Sequence, residues 1–591
     1  RNNLLITAIK TYKMKKTLLF SVALAGLMLG SCSSSDDLNG GGSAPVKQDG
    51  NGYVAFTINL PTQPSTRAGS FNDEFKDGMA NEYAVKDATL LLFQGTTESS
   101  ATFVGAYKLS TEPWTSPAGD QNITTTSKKI VKKIDKSGTD MKALVVLNSN
   151  GVFTVDEATN SVKLKGSTSD FAGTYKQFVE SANATSGEKL TKTGFYMANA
   201  PLCSKKGDDS DPAAGTVSTL TDLTGKIYDT EAEALAGSAA QVYVERAVAK
   251  VTVNKGTVKE ATTSTSTSVP FEVLGWAIDN FNKTTYLVRN TEDFDSWKSF
   301  SSKGLTTSKY RFVGGAAVAT DLYRTYFAKD VNYDTDYHDG ILERATNFVN
   351  TYGETNPQYC FENTFDVPHQ NENLTTLVTI KAKLNSGADF YIVGGDQTKL
   401  YTKTELDKLV KEKFLNTEAD WVTNNAKDAS TKIGEGDLTL AYDKDEAGVI
   451  HLTGVTVDPA KLKGTPDPLP ATYVKDVEAA VGSMVCYKNG VSYYTVRIKH
   501  FGDDLTPWKK NELGVKAGAV YPTTNQAENW LGRYGVLRNN WYDITVQGVK
   551  GLGSATVPEL TGTTDDELDS YIAVQINVLS WAKRTQNATL H

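Results

Sequence analysis

A mostly β chain is what the 591-residue sequence predicts, and three observations predict it. Thr, Ser, Gly, Val and Tyr recur throughout, and such residues suit pleated strands and tight turns. Apolar residues come either in period-two alternation or in short runs of strand length, the marks of half-buried and fully buried strands. Long apolar stretches of helical period are scarce. A chain of this length predicts roughly two to four domains, each able to bury a core.

At the front, Met14 is followed by Lys15 and Lys16, by the apolar run Thr17 to Leu29, and by Gly30-Ser31-Cys32. A short cationic start, an apolar stretch too short to span a bilayer and small residues before a cut describe a secretory signal. Leu29-Gly30-Ser31-Cys32 resembles the bacterial lipobox, in which the cysteine is acylated and the chain is cut just before it, so Cys32 is the expected lipidation site. Residues 1–13 are expected to be upstream sequence outside the fold. Ser33 to Asp37 and the Gly-rich stretch Gly40 to Ser43 are too polar to bury a core and read as a tether.

Tyr53 to Leu60 alternates Val54, Phe56, Ile58 and Leu60 against Ala55, Thr57 and Asn59, which predicts a strand with one buried face. Pro61 to Ser70 follows, with prolines and small residues around Arg67 and Ala68, the composition of an exposed loop that proteases cut. Near the other end Ile572, Val574, Ile576 and Val578 alternate with Ala573, Gln575 and Asn577, and Trp581 precedes a polar stretch. A strand so placed either closes its own sheet or is donated to the sheet edge of a neighbour. Four or five buried side chains at roughly 1.5–3 kcal/mol each would make a donated strand slow to leave. Removal of Tyr53 to Arg67 would open a groove for it.

In the body, Leu90 to Phe93 and Leu144 to Leu147 read as buried strands, the second ending in the turn cluster Asn148 to Gly151. Asp170 followed by Phe171, Tyr175, Phe178 and Val179 predicts a short helix capped by Asp170. Gln241 to Val253 reads as strand, and the Thr/Ser tract that follows places a domain junction near Lys255 to Ser268. The divisions are then a leader of residues 1–32, a tether and removable strand of residues 33–67, and domains over 68–260 and 261–591. The second domain is long and must carry insertions. One is helical, since Thr402 and Glu405 form a capping box ahead of Leu406, Leu409, Val410 and Phe414.

Catalytic and metal chemistry has no visible carrier. The formal net charge is −8 with no basic stripe, which argues against nucleic acid as partner. The patterns of a nucleophile elbow, a P-loop, a zinc-protease helix and a C-x-x-C pair are absent from the sequence, and His338, His369, His451, His500 and His591 are widely spaced. Asp330, Asn332, Asp334 and Asp336 alternate like calcium ligands, but Thr335 stands where an EF-hand loop needs Gly, so a solvated loop is expected. Asp208, Asp209 and Asp211 are read the same way, and Lys206-Gly207-Asp208 is too short a match to an integrin-binding tripeptide to count. Cys203, Cys360 and Cys486 are expected as buried thiols, with one disulfide among them as the alternative. No catalytic residue, no metal and no cofactor is expected.

Five stretches taken in order resemble the fimbrillins of Bacteroidales, the subunits of donor-strand pili, and within that family the shaft subunits of short (minor) fimbriae in Porphyromonas. They are Gly194 to Met197, Glu245 to Val251, Tyr359 to Thr364, Tyr493 to His500 and Tyr534 to Tyr542, behind the lipobox and the Thr66-Arg67-Ala68 loop. The resemblance implies two transthyretin-like β-sandwich domains with short peripheral helices and export as a lipoprotein to the outer membrane. It also implies cleavage after Arg67 by an arginine-specific protease. The strand Tyr53 to Leu60 would leave and the segment from Tyr571 to Leu590 of another copy would fill its groove. The implied partners are further copies of the chain, accessory anchor and tip subunits, that protease, and host or bacterial surface ligands, with adhesion and biofilm as the outcome. A tip adhesin or a glycan-binding surface lipoprotein is the alternative.

Overall fold

A computed structural model describes residues 51–60, 79–109, 127–135, 140–185, 190–206, 215–263, 267–292, 294, 313–319, 321–331, 333, 342–364, 369, 371–498, 500, 535–560, 562, 572–579 and 584–586. The chain divides into two units, Arg1–Asp49 and Gly50–His591, and every described residue belongs to the second.

Strands outnumber helices among the described residues. The first group comprises β1 (Asn51–Asn59), β2 (Ala88–Gln94), β3 (Thr102–Leu109), β4 (Ser127–Asp135), β5 (Met141–Leu147), β6 (Met197–Asn199), β7 (Ile227–Tyr228) and β8 (Ala240–Arg246). They join in the order β7-β1-β8-β6-β5-β2-β3, and β4 pairs with β1. β3, at one end of this order, and β4, attached near the other, lie close to each other. The two apolar runs are central: β2 and β5 pair antiparallel with Leu90 opposite Val145 and Leu92 opposite Ala143, and all four are fully buried. Three short helices lie around this core, α1 (Ala80–Tyr83), α2 (Tyr175–Ser181) and α3 (Glu231–Ala236). In α2 the rings of Tyr175 and Phe178 meet Phe93 edge to face, with centroids 5.4 and 6.0 Å apart. Its cap is Thr174 and not Asp170: the Thr174 hydroxyl accepts from the Gln177 amide, and the Gln177 side chain accepts from the Thr174 amide at 2.8 Å. Thr174 directly precedes the first turn, whereas Asp170 lies a full turn too early to reach those amides.

The second group builds a two-sheet sandwich from β9 (Val248–Asn254), β10 (Glu260–Thr262), β11 (Ser268–Asp279), β12 (Gln358–Phe361), β13 (Leu377–Leu384) and, beyond an insertion, four later strands. The insertion carries β14 (Phe390–Val393), β15 (Asp396–Tyr401), β16 (Leu438–Lys444), β17 (Val449–Val457) and β18 (Met484–Tyr487). After it come β19 (Val491–Arg497), β20 (Trp541–Val549), β21 (Ile572–Leu579) and β22 (Arg584–Gln586). One sheet runs β12-β9-β20-β21-β22 and the other β10-β11-β13-β19. Between them Trp276, Ile380, Tyr494, Tyr542, Ile544 and Val546 form the core.

Residues 385–490 are the insertion, leaving between β13 and β19, which are antiparallel neighbours. Its sheet, β15-β14-β18-β17-β16, is backed by α4 (Lys403–Thr417), α5 (Ala419–Asn425) and α6 (Tyr473–Val481), and it has its own core. The capping box of α4 forms as the spacing predicts, with Thr402 accepting from the Glu405 amide and Leu406, Val410 and Phe414 fully buried.

Gln241 to Val253 is two strands, β8 and β9, separated by Ala247 alone. Val248 belongs to the first core and Ala249 to the second, so the change of core falls at this point. The tract Lys255 to Ser268 holds β10, which pairs with the start of β11.

Cys203, Cys360 and Cys486 are buried thiols, and no disulfide joins any two of them. Burial pushes the Cys360 thiol up to about 12 and raises that of Cys486, so neither forms the reactive thiolate near neutral pH. In the folded protein lacking residues 1–32 these thiols are expected to resist a chromogenic disulfide reagent and to react on denaturation. Fast reaction of the native chain would contradict the burial.

Candidate functional site

β1 is an internal strand. Along one edge it pairs antiparallel with β4 over its whole length, from Asn51 opposite Asp135 to Asn59 opposite Ser127. Along the other edge β7 pairs at Tyr53 and Val54, and β8 runs parallel from Phe56 opposite Ala240 to Asn59 opposite Tyr243. Val54, Phe56 and Ile58 are fully buried and Leu60 is nearly so, all four in the first core. The expected inward face is thus the observed one. Ala55 is also fully buried but is not part of that core; α3, which packs on β1, β4 and β7, covers the outer face. Withdrawal of β1 would leave β4, β7 and β8 with open hydrogen-bonding edges above an apolar trough.

The strand expected to be donated, with Ile572, Val574, Ile576 and Val578, is β21. It pairs antiparallel with β20 in its own sheet, Ile576 opposite Ile544 and Val574 opposite Val546. Its far edge carries the short β22. These are the last two strands of that sheet, so they can leave while β20 keeps its pairing with β9. The lipidation residue Cys32 and the processing residues Arg67 and Ala68 lie outside the described residues, as do Trp581, His338, His591, Asp208, Asp209 and Asp211.

The structure gathers the quoted stretches at the change of core. β9 pairs antiparallel with β12, Val248 opposite Phe361, and parallel with β20, Lys250 opposite Trp541. Phe195 of the first stretch packs its ring on Tyr359, centroids 4.8 Å apart. His500 Nδ1 lies 2.7 Å from the Tyr542 hydroxyl. Among them runs a chain of buried charges. Lys250 Nζ is 2.8 Å from Glu82 Oε1 and lies over the Trp541 ring; Tyr359 donates to the same Glu82 carboxylate at 2.5 Å, and Arg246 Nε donates to the Glu82 carbonyl. Arg289 pairs with Glu245 at 2.7 Å, and Arg538 Nε donates to Glu362 at 2.9 Å. Burial lowers the Lys250 ammonium and raises the Glu245 carboxyl, while Arg246 is pulled down by burial to about 10. Each charge is held because its partner is there; alone it would be costly.

Glu82 and Arg289 carry no sequence signal of this role. Arg246 and Lys250 do, as charges set inside the apolar run Val242 to Val253. Asp330 corrects the solvated-loop expectation. It is buried, accepts from Asn282 Nδ2 at 3.1 Å and from the Thr364 amide, and so braces β12's exit. Asn332, Asp334 and Asp336 lie outside the described residues, and among the described residues no group of three side chains is placed to hold a metal.

Residues 519–587, spanning β20 to β22, match the family model described as the C-terminal region of fimbrillin, major fimbrial subunit protein type IV. No curated protein matches the chain. Among solved structures, a candidate cell adhesion protein from Parabacteroides distasonis aligns at 9% identity over 91% of this chain and 98% of its own, with TM-score 0.34. A candidate cell adhesion protein from Bacteroides eggerthii aligns at 11% identity over 92% and 100%, TM-score 0.31. The C-terminally truncated tip fimbrial protein Mfa3 of Porphyromonas gingivalis aligns at 11% identity over 90% and 100%, TM-score 0.25.

Proposed function

We propose that this chain is a structural subunit of a cell-surface fimbria, exported as a lipoprotein acylated at Cys32 and cut after Arg67. It would polymerise when the β21 segment of one copy replaces β1 of the next. Its place in a fimbria is supported by the match of residues 519–587 to the fimbrillin C-terminal region. The mechanism rests on one observation: β1 is hydrogen-bonded on both edges and buries four side chains, yet it is a segment that a single cut at Arg67 would sever from the body. A strand held only by non-covalent contacts once the chain is cut can be exchanged for another of the same pattern.

A shaft subunit must both accept and donate a strand, whereas a tip subunit need only accept one. Protein lacking residues 1–32 is expected, on treatment with an arginine-specific protease, to yield Ala68 as new N-terminus by mass spectrometry. It should then form ladders that survive SDS without boiling, and deletion of residues 571–591 should abolish them. Cut protein that stays monomeric with residues 571–591 intact would remove the shaft role and leave the tip adhesin or glycan-binding lipoprotein.

A further inference from the structure

β1 and β21 share more than alternation. Val54-Ala55-Phe56-Thr57-Ile58-Asn59-Leu60 set beside Ile572-Ala573-Val574-Gln575-Ile576-Asn577-Val578 shows the same residue at three of seven positions, and two of the three lie on the outward side. Outward positions need not be apolar, so the inward alternation does not account for them.

Each identical outward residue of β1 has a local task. Ala55 is fully buried away from the core, beneath α3, whose Ala234 is likewise fully buried outside the core cluster. A side chain larger than a methyl at Ala55 would lift the helix off the strand. Asn59 reaches sideways to β8: its Nδ2 donates to the Val242 carbonyl at 3.2 Å and to Gln241 Oε1 at 3.3 Å. A small residue under the helix and an amide at the end of the strand four positions later therefore define the slot from its outer side.

We propose that β21 of a second copy enters this slot in the direction and register of β1, with Ala573 under α3 in place of Ala55, Ile576 in the Ile58 position and Asn577 in place of Asn59, bonded to β8. The inference rests on the strand-exchange reading and adds its partner's register. Register is set by the outer face because inward Ile, Val, Phe and Leu fill a trough nearly interchangeably, whereas a shift of two residues, or entry in the opposite direction, changes what lies under α3. In the reversed direction centred on Gln575, Asn577 would lie under α3 and Ala573 beside β8, losing both contacts at once.

Cysteine pairs across β4 read the direction. Asn59 lies opposite Ser127 and Ala55 opposite Val131, and directly opposed residues of antiparallel strands approach to about 4.5–5.5 Å between Cα atoms, within disulfide reach. Two variants of the protein lacking residues 1–32 are cut with the protease and oxidised, Ser127→Cys with Asn577→Cys and Val131→Cys with Asn577→Cys. In the uncut chain Asn577 lies opposite Asp543, so a bond to β4 reports exchange.

The expected result is a ladder that survives boiling in SDS and collapses with reductant for the Ser127/Asn577 pair and not for the Val131/Asn577 pair. Tryptic peptide mapping should show residues 127 and 577 joined. Cross-linking through Val131 instead would overturn the register while leaving polymerisation intact. So would ladders that survive SDS only without boiling in both variants. Failure of the parent protein itself to form ladders would bring down the strand-exchange reading and the register with it. As a second measurement, Ala573→Leu is expected to abolish ladders while Gln575→Leu keeps them, the reverse result counting against the Ala573 assignment.

Discussion

Phe56→Ala is expected to destabilise the uncut chain by about 3–5 kcal/mol, the usual cost of emptying a buried aromatic site, and to leave the cut, polymerised chain unchanged. Phe56 is fully buried at the middle of β1, with Val54 and Ile58 on either side in the same core. In the uncut chain its ring fills the trough, so truncation leaves a cavity. If cleavage releases β1 and β21 takes its place, residue 56 has gone and its substitution has nothing to act on. Denaturant titration of the uncut protein, beside that of assembled polymer from parent and variant, measures both halves. An equal loss in the polymer would mean that the severed strand stays bound. The same substitution should also speed exchange, since a weaker β1 vacates its slot more readily.

Glu362→Leu is expected to cost about 3–5 kcal/mol by removing the carboxylate hydrogen-bonded to the buried Arg538 guanidinium. Both side chains are almost completely shielded, and Glu362 accepts from Arg538 Nε and NH2. The guanidinium would retain Thr285 and the Tyr286 carbonyl as acceptors, neither of them charged. Replacing both partners, Glu362→Leu with Arg538→Met, should recover most of the loss, because a pair of apolar side chains of similar volume needs no compensation. Calorimetry adds a second readout. The pair lies where one core gives way to the next, so the single variant should unfold over a broader range, or in more steps, than the parent. A single variant as stable as the parent would show that the pair contributes nothing net.

How much of this was legible beforehand depends on whether the signal was local. The inward face of β1, the apolar runs of β2 and β5 and the capping box of α4 are patterns within one segment, and the structure has them where the residues put them. Gln241 to Val253 reads as one strand because its Val and Ala positions alternate without a break. Only packing shows that Ala247 is where the chain passes from one core to the other. The Thr/Ser tract after it has the composition of a linker and forms a hairpin edge, since β-branched residues suit both. Asp170 suits a cap by residue type alone, while Thr174, with Gln177 at the right spacing, carries the stronger signature. Glu82 had no signature at all, because its partners Lys250 and Tyr359 are far away in sequence. The candidate site divides in the same way. Both β1 and β21 are visible as alternation, while the α3 cover over Ala55 and the Asn59 amide contacts required the fold.

The passage from β8 to β9 has a mechanical side. β8 lies beside the slot of β1, β9 lies beside β20, and β20 holds β21. In a filament joined by strand exchange, tension entering a subunit through its acceptor slot would reach the donor sheet along Ala240–Arg246, the bend at Ala247 and Val248–Asn254, two extended strands with a single residue between them. Such a path loads its ladders in shear, along the strands, where many hydrogen bonds must break together and none can be peeled singly. A fibre built this way would stretch little under flow until whole strands slide, and its weakest joint would be the exchanged strand itself.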